Sequence, residues 1–174
     1  MNYDIIYEHA ADNYGLITSS EAKTLGIPNV ELVKLAHRGR LRRLGQGVYR
    51  LARYIPTTYD EYAVAVVMVG NGAIVYGESV LAMHGLALVN PACIYVATQG
   101  RIRKSLPEQI KVIKLDKILN DVEYEGIPSQ SVLDALLVCK GTVMTERLIE
   151  AIGDAERQGL ITSTEASTAR ELLL

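Results

Sequence analysis

The chain has 174 residues, 49% of them apolar and 22% charged, with a formal net charge of −2, a composition that excludes a disordered or low-complexity protein. Its longest apolar run, Ala63 to Val69, falls far short of the ~20 residues of a membrane span, and no basic segment followed by an apolar one opens the N-terminus, so a cytoplasmic protein without a membrane partner is expected. Phe and Trp are absent and the ten Tyr carry all the aromatic packing, while Cys93 and Cys139, each in apolar surroundings, read as buried free thiols and not as a bridge, a metal site or a nucleophile.

Tyr3, Ile6, Tyr7, Ala10 and Tyr14 recur at helical spacing and predict a helix that Gly15 ends. Thr18-Ser-Ser-Glu21 has the form in which a threonine caps the third amide and the glutamate returns to the cap amide, so a short helix over Ser19–Leu25 follows. Gly26-Ile-Pro28 breaks the chain, because proline pushes Ile27 out of the helical region, and Asn29 is placed to cap the next helix. On that helix Leu32, Val33, Leu35 and Ala36 form a core arc, and Val30, Glu31, Lys34, His37 and Arg38 the opposite one. Gly39 suits the left-handed stop, and Arg40 to Ala52 reads as two short extended runs around Gly45-Gln-Gly47, with the alternation imperfect at Arg42-Arg43. Helix, short helix, turn, helix and hairpin make a winged helix-turn-helix over residues 1–53.

Arg53 to Thr57 is the expected linker, and Thr58-x-x-Glu61 opens a helix that buries Tyr62, Ala63, Val66 and Val67. Gly70-Asn-Gly72 breaks it. Strands are expected over Ala73–Tyr76, Cys93–Thr98 and, half exposed, Ile110–Leu115, and helices over Ser79–His84, Ser129–Val138, Thr145–Arg157 and Ser163–Leu173, the last opened by a further box, Thr162-x-x-Glu165. The result is an α+β protein: the N-terminal winged helix-turn-helix of residues 1–53, then a mixed α/β domain over 58–174 with a small sheet and terminal helices. Gly15-Leu-Ile-Thr-Ser-Ser-Glu-Ala22 is nearly repeated as Gly159-Leu-Ile-Thr-Ser-Thr-Glu-Ala166, and both copies read as convergent turn chemistry.

Charge is unevenly spread. Residues 1–53 hold eight Lys/Arg against five Asp/Glu, a net of +3, and residues 54–174 hold ten against fifteen, a net of −5. Between Lys34 and Arg53 stand seven basic residues and no acidic one, on the recognition helix and wing, which is the footprint of a surface that meets double-stranded DNA. Lys34, His37 and Arg38 are the expected groove contacts; Arg40, Arg42, Arg43 and Arg50 the expected phosphate contacts; Tyr49 is a phosphate donor or, preferably, a core residue of the wing. Glu31 suits the dipole at its helix N-terminus more than it suits a base contact.

The sequence carries no catalytic constellation. Glu21-Ala-Lys23, a nuclease-like Glu-x-Lys, lies in a helix of the DNA-binding domain; no Gly-Ser followed by Asp-x-Asp, no P-loop and no Gly-x-Gly-x-x-Gly occurs, so no catalytic residue, metal or cofactor is expected. Ser79 and His84 stand five apart, poor geometry for a nucleophile and its base, and are read as packing or hydrogen-bonding residues.

Gly15-Leu-Ile-Thr18, Ala22, Leu35, Gly39, Leu41 and Gly47-Val-Tyr-Arg-Leu51 resemble the N-terminal domain of AbiEi-type antitoxins of abortive-infection toxin–antitoxin systems. Ser79-Val-Leu-Ala-Met-His-Gly-Leu86 is similar to the segment opening that family's second domain, and Gly126-Ile-Pro128 with Ser131-Val-Leu-Asp134 resembles a later motif, departing from it at Ser131 and Val132. The resemblance spans roughly residues 10–140. It implies a type IV antitoxin that autorepresses its operon and counters a nucleotidyltransferase toxin in phage defence, without a stable complex between the two. The alternatives are a plain winged-helix regulator whose second domain senses a ligand or dimerises, and a DNA-acting enzyme.

Overall fold

A computed structural model describes residues 1–70, 72–118 and 121–174; Asn71, the middle of the expected Gly70-Asn-Gly72 break, lies outside them. The chain forms two compact units, one of residues 1–70 with 103–106 and one of 71–102 with 107–174. Helices and small sheets combine in both, so the protein is α+β as the sequence predicts.

The first unit begins with α1 (Asn2–Ala11), β1 (Leu16–Thr18), α2 (Ser19–Thr24) and α3 (Asn29–His37). The wing follows as β2 (Leu41–Gly45) and β3 (Val48–Leu51), and α4 (Asp60–Val69) closes the unit. Its core gathers Ile6 and Ala10 from α1, Ile17 from β1, Ala22 from α2, Ile27 from the turn, Leu32 and Leu35 from α3, and Leu41, Tyr49 and Leu51 from the wing. Burial of a leucine-sized side chain contributes ~1.5–3 kcal/mol, and this common centre holds short helices that would be marginal alone.

A strand appears where sequence pattern showed only a turn and a cap. β1 pairs antiparallel with β3, Leu16 opposite Arg50 and Thr18 opposite Val48, giving a three-stranded sheet in the order β1-β3-β2. The chain reaches it through Tyr14 and Gly15, both at positive φ, and a Cβ on Gly15 would stand 2.5 Å from the Tyr54 ring, so only glycine fits there.

The expected linker at 53–57 falls inside this unit. Thr58 does not cap α4; the backbone amide of Thr57 donates to Asp60 Oδ1 at 2.9 Å and its hydroxyl to the same oxygen at 3.0 Å, one residue earlier in the chain than the anticipated pair. Asp60 belongs to this arrangement because it also faces Arg50 of β3.

The second unit holds a mixed five-stranded sheet in the order β6-β5-β4-β8-β7, built from β4 (Ile74–Val75), β5 (Ile94–Thr98), β6 (Ile110–Lys114), β7 (Asp121–Tyr124) and β8 (Ile127–Gln130). Val96, Ala97 and Thr98 of β5 are buried, whereas the edge strands expose Lys111 and Lys114 on β6 and Asp121 and Glu123 on β7, charges that discourage edge-to-edge pairing. Helices α5 (Glu78–Met83), α6 (Val132–Val138), α7 (Thr145–Arg157) and α8 (Ser163–Leu173) complete it. The helix expected from Ser129 starts later, because Ser129 and Gln130 belong to β8 and Ser131 is the cap, its hydroxyl accepting from the Asp134 amide at 3.2 Å.

On α7, Leu148, Ala151, Ile152 and Ala155 fall three and four apart and are buried; α8 buries Ala166, Ala169 and Leu173. Thr162 and Glu165 form the expected reciprocal box. The near-repeat of residues 15–22 at 159–166 thus shares its cap with the first copy, but Leu160 to Thr162 form no strand, which supports convergence over duplication.

Candidate nucleic-acid interface

The helix-turn-helix is set by local chemistry. Thr18 Oγ1 accepts from the Glu21 amide at 3.1 Å while Glu21 Oε2 accepts from the Thr18 amide at 2.8 Å, starting α2 where the sequence places it. The amide of Ile27 then donates to Ala22 O at 2.8 Å, tucking Ile27 into the core between the two helices. Asn29 departs from expectation: Pro28 occupies the cap position, and Asn29 is the first residue of α3, its Oδ1 accepting from the Ser19 hydroxyl at 2.7 Å. The side chain therefore ties the start of α3 to the start of α2.

α3 buries Leu32 and Leu35 and half-buries Ala36. Val33, expected on that arc, is 50% exposed, and Val30 is 54% exposed. At ~100° per residue, Val30, Val33, Lys34 and His37 share one face opposite the core, so the outward face is mixed apolar and basic. Lys34 Nζ lies 2.9 Å from Glu31 Oε1, one turn earlier, and this neighbour holds the Glu31 carboxyl below its usual range. Glu31 thus has a partner on its own helix, as a residue near a positive helix end suits.

Arg38 lies at the edge of the outward face. It is the C-terminal cap residue of α3, and with Arg40 and Arg53 it lines a cleft of about 310 Å³ whose other walls are Tyr3, Gly39 and Ala52. The Arg40 guanidinium lies 4.9 Å from the centre of the Tyr3 ring, a cation–π contact that holds the arginine at the cleft. Three arginines thus line one concave site, and arginine is the residue type whose planar guanidinium suits an anion of phosphate's geometry. Arg53, which sequence pattern assigned to a linker, joins the set only because Ala52 N bonds back to Arg40 O at 3.0 Å.

The wing carries an irregularity just after Arg42-Arg43, which themselves pair in register with Arg50 and Tyr49. Arg43 opposes Tyr49 and Gly45 opposes Val48, so Leu44 is an extra residue on β2, a bulge. Arg42 and Arg43 are both exposed, and Arg43 Nε donates to Gly45 O at 3.2 Å. Tyr49 is 2% exposed and belongs to the core of the wing.

Arg50 differs from the other wing arginines. Its Nη2 is 2.7 Å from Asp60 Oδ2, each side chain is only 11% exposed, and its guanidinium lies 5.0 Å from the Tyr54 ring centre. Expected to meet phosphate, it is instead engaged by an internal carboxylate, and the basic surface open to a ligand consists of Lys34, His37, Arg38, Arg40, Arg42, Arg43 and Arg53.

In the second unit, Ser79 is fully buried and its Oγ accepts from the Tyr95 amide at 2.8 Å, while the His84 ring lies 4.1 Å from the Tyr124 ring; each has a packing partner. Cys139 is buried and its thiol is pushed up to about 12 by burial, which leaves it unreactive at neutral pH. Among the described residues no group of three or more His, Cys, Asp or Glu is placed to hold a metal, and no helix is long and apolar enough to cross a membrane.

Burial holds the His84 imidazole below its ordinary value. The folded state therefore resists a proton that the unfolded chain accepts, so stability is full above the unfolded value of ~6.5 and falls as pH drops through the lower folded value. Thermal unfolding between pH 7.5 and 5 is expected to show a falling midpoint that His84→Gln flattens; equal slopes for both proteins would remove His84 as the cause.

Residues 4–52, from within α1 through β3, match the family described as "Transcriptional regulator, AbiEi antitoxin". The match covers the helix-turn-helix and wing and bears out the resemblance there; that family is one of regulators and not of enzymes. No curated protein matches the chain.

Proposed function

We propose that the protein is a DNA-binding antitoxin that represses its own toxin–antitoxin operon in an abortive-infection system, acting in the cytoplasm with a nucleotidyltransferase toxin as its functional partner. The observation that carries this reading is the coincidence of the family match over residues 4–52 with an outward α3 face and wing whose charged residues are all basic apart from Glu31, which is paired with Lys34. In a winged helix-turn-helix the second helix of the turn enters the major groove and the wing lies along the backbone. On this reading Lys34 and His37 meet base edges, Arg42 and Arg43 meet phosphates, and the cleft lined by Arg38, Arg40 and Arg53 takes one further phosphate.

Full-length protein is expected to retard the DNA upstream of its own gene in a gel-shift assay at low salt, and to release it as salt rises. No retardation at 50 mM salt would end the repressor reading. Rescue of cells expressing the adjacent toxin gene tests the antitoxin part separately.

A second reading, a regulator whose second unit senses a small ligand, is favoured by one feature. A cleft of about 480 Å³ opens beside β4 and α6, lined by Ile74, Tyr76, Leu115, Leu137 and Val138 with Lys117, Gln130 and Asp134 as polar points. Such a lining, apolar with a few polar groups, is what a small ligand would use, here in an open cleft. Operator binding that changes with cell extract depleted of macromolecules would support it.

A further inference from the structure

We infer that Val30 and Val33 read thymine methyl groups in the major groove, so that the DNA site of this protein carries thymines under the N-terminal half of α3. The inference rests on the DNA-binding reading above and extends it to the base that is recognised. Two valines, 54% and 50% exposed, stand three residues apart on the side of α3 opposite Leu32 and Leu35. Lone exposed apolar residues are ordinary, but these two share a face with Lys34 and His37, at positions where charge would serve a solvated helix better.

Local stability does not favour them either, since β-branched residues are weaker helix formers than alanine, lysine or glutamate, and α3 has only nine residues. A second apolar protein surface is a poor occupant, because Lys34 and His37 in the same stripe, with Arg38 and Arg40 just beyond, would have to be desolvated against it. DNA meets both halves of the stripe: its phosphates and base acceptors suit the basic residues, and the one apolar group it offers in the major groove is the C5 methyl of thymine. Residues near the start of a recognition helix lie closest to base edges, and Val30 is the second residue of α3.

The test uses full-length protein and the fragment upstream of its own gene, amplified either with thymidine or with deoxyuridine triphosphate, so that every methyl is removed while all hydrogen-bonding groups stay. Binding of wild-type protein to the uracil fragment is expected to be weaker by about three- to fivefold for each methyl contacted. Val30→Ala/Val33→Ala, which keeps a good helix former at both positions, should bind the thymine fragment as weakly as wild type binds the uracil one, bind scrambled DNA as wild type does, and be indifferent to the exchange. Equal wild-type affinity for the two fragments overturns the inference and leaves DNA binding standing, as does a double variant that remains as sensitive to uracil as wild type. Binding of no duplex at low salt, scrambled DNA included, removes the DNA-binding reading itself, and the inference with it.

Discussion

Asp60→Ala is expected to destabilise the N-terminal unit by about 3 kcal/mol, the lower end of what loss of one partner costs a buried ion pair. The carboxylate is the hub of a network that spans β3 and the start of α4. Its Oδ2 lies 2.7 Å from Arg50 Nη2, and its Oδ1 accepts from the Thr57 amide, the Thr57 hydroxyl and the Tyr54 hydroxyl at 2.9, 3.0 and 3.2 Å. The arginine contact is close but off the hydrogen-bond axis, for Arg50 Nη2 and Asp60 Oδ2 are buried without an aligned partner. Its strength is therefore mainly electrostatic, and removal of Asp60 leaves a nearly buried guanidinium stacked on the Tyr54 ring without its carboxylate. Asp60→Asn keeps the shape and the acceptor Oδ1, so it should cost less than the alanine variant. Hydrogen exchange of β3 and α3 amides in urea reads the loss directly; a change below about 0.5 kcal/mol would put the pair among ordinary surface ion pairs.

The same network shows where sequence reading stops. Capping boxes are local, and both Thr18/Glu21 and Thr162/Glu165 stand where the chain alone places them, because donor and acceptor are three residues apart. Thr58/Glu61 has the same spelling and forms no box, since the chain settles one residue earlier to give Asp60 to Arg50, a partner on another element. β1 was hidden for a similar reason: Leu16, Ile17 and Thr18 become a strand only by pairing with Val48–Arg50 far along the chain. The β7–β8 hairpin, also unread, carried only half a signal: Gly126 at φ 75° suits the second position of the two-residue turn, whereas Glu125 at φ 51° is a residue type that seldom takes the first. Periodicity placed Leu32 and Leu35 in the core correctly, yet put Val33 with them, because the apolar arc it draws is wider than the core that α3 meets. For the candidate interface, charge counting found the basic segment but weighed Arg50 like its neighbours; burial against Asp60 is invisible in a count.

Arg42→Ala/Arg43→Ala is expected to produce the largest change in DNA binding. Arg42 and Arg43 pair in regular register with Arg50 and Tyr49, ahead of the bulge at Leu44, so they leave opposite faces of the strand, and both are exposed. Two cations presented in succession along a wing suit successive backbone phosphates, and each such contact contributes ~0.9 to the dependence of log K on log[salt]. The double variant should therefore lower that slope by about 2, on operator and scrambled DNA alike, and weaken binding at low salt by roughly tenfold or more per arginine, as charged hydrogen bonds of ~1.5–3 kcal/mol require. Lys34→Ala should behave differently, removing ~1–3 kcal/mol of discrimination on the operator and little on scrambled DNA, because base contacts exist only on the cognate sequence. Arg38 separates the sequence expectation from the structure. As a groove residue it would follow Lys34; lining the cleft with Arg40 and Arg53, it should follow Arg42 and Arg43 and lose slope on every duplex. Titrations over a salt series with the Arg38→Ala, Lys34→Ala and double wing variants decide between these patterns. An unchanged slope for the wing variant would place the phosphate backbone elsewhere on the molecule.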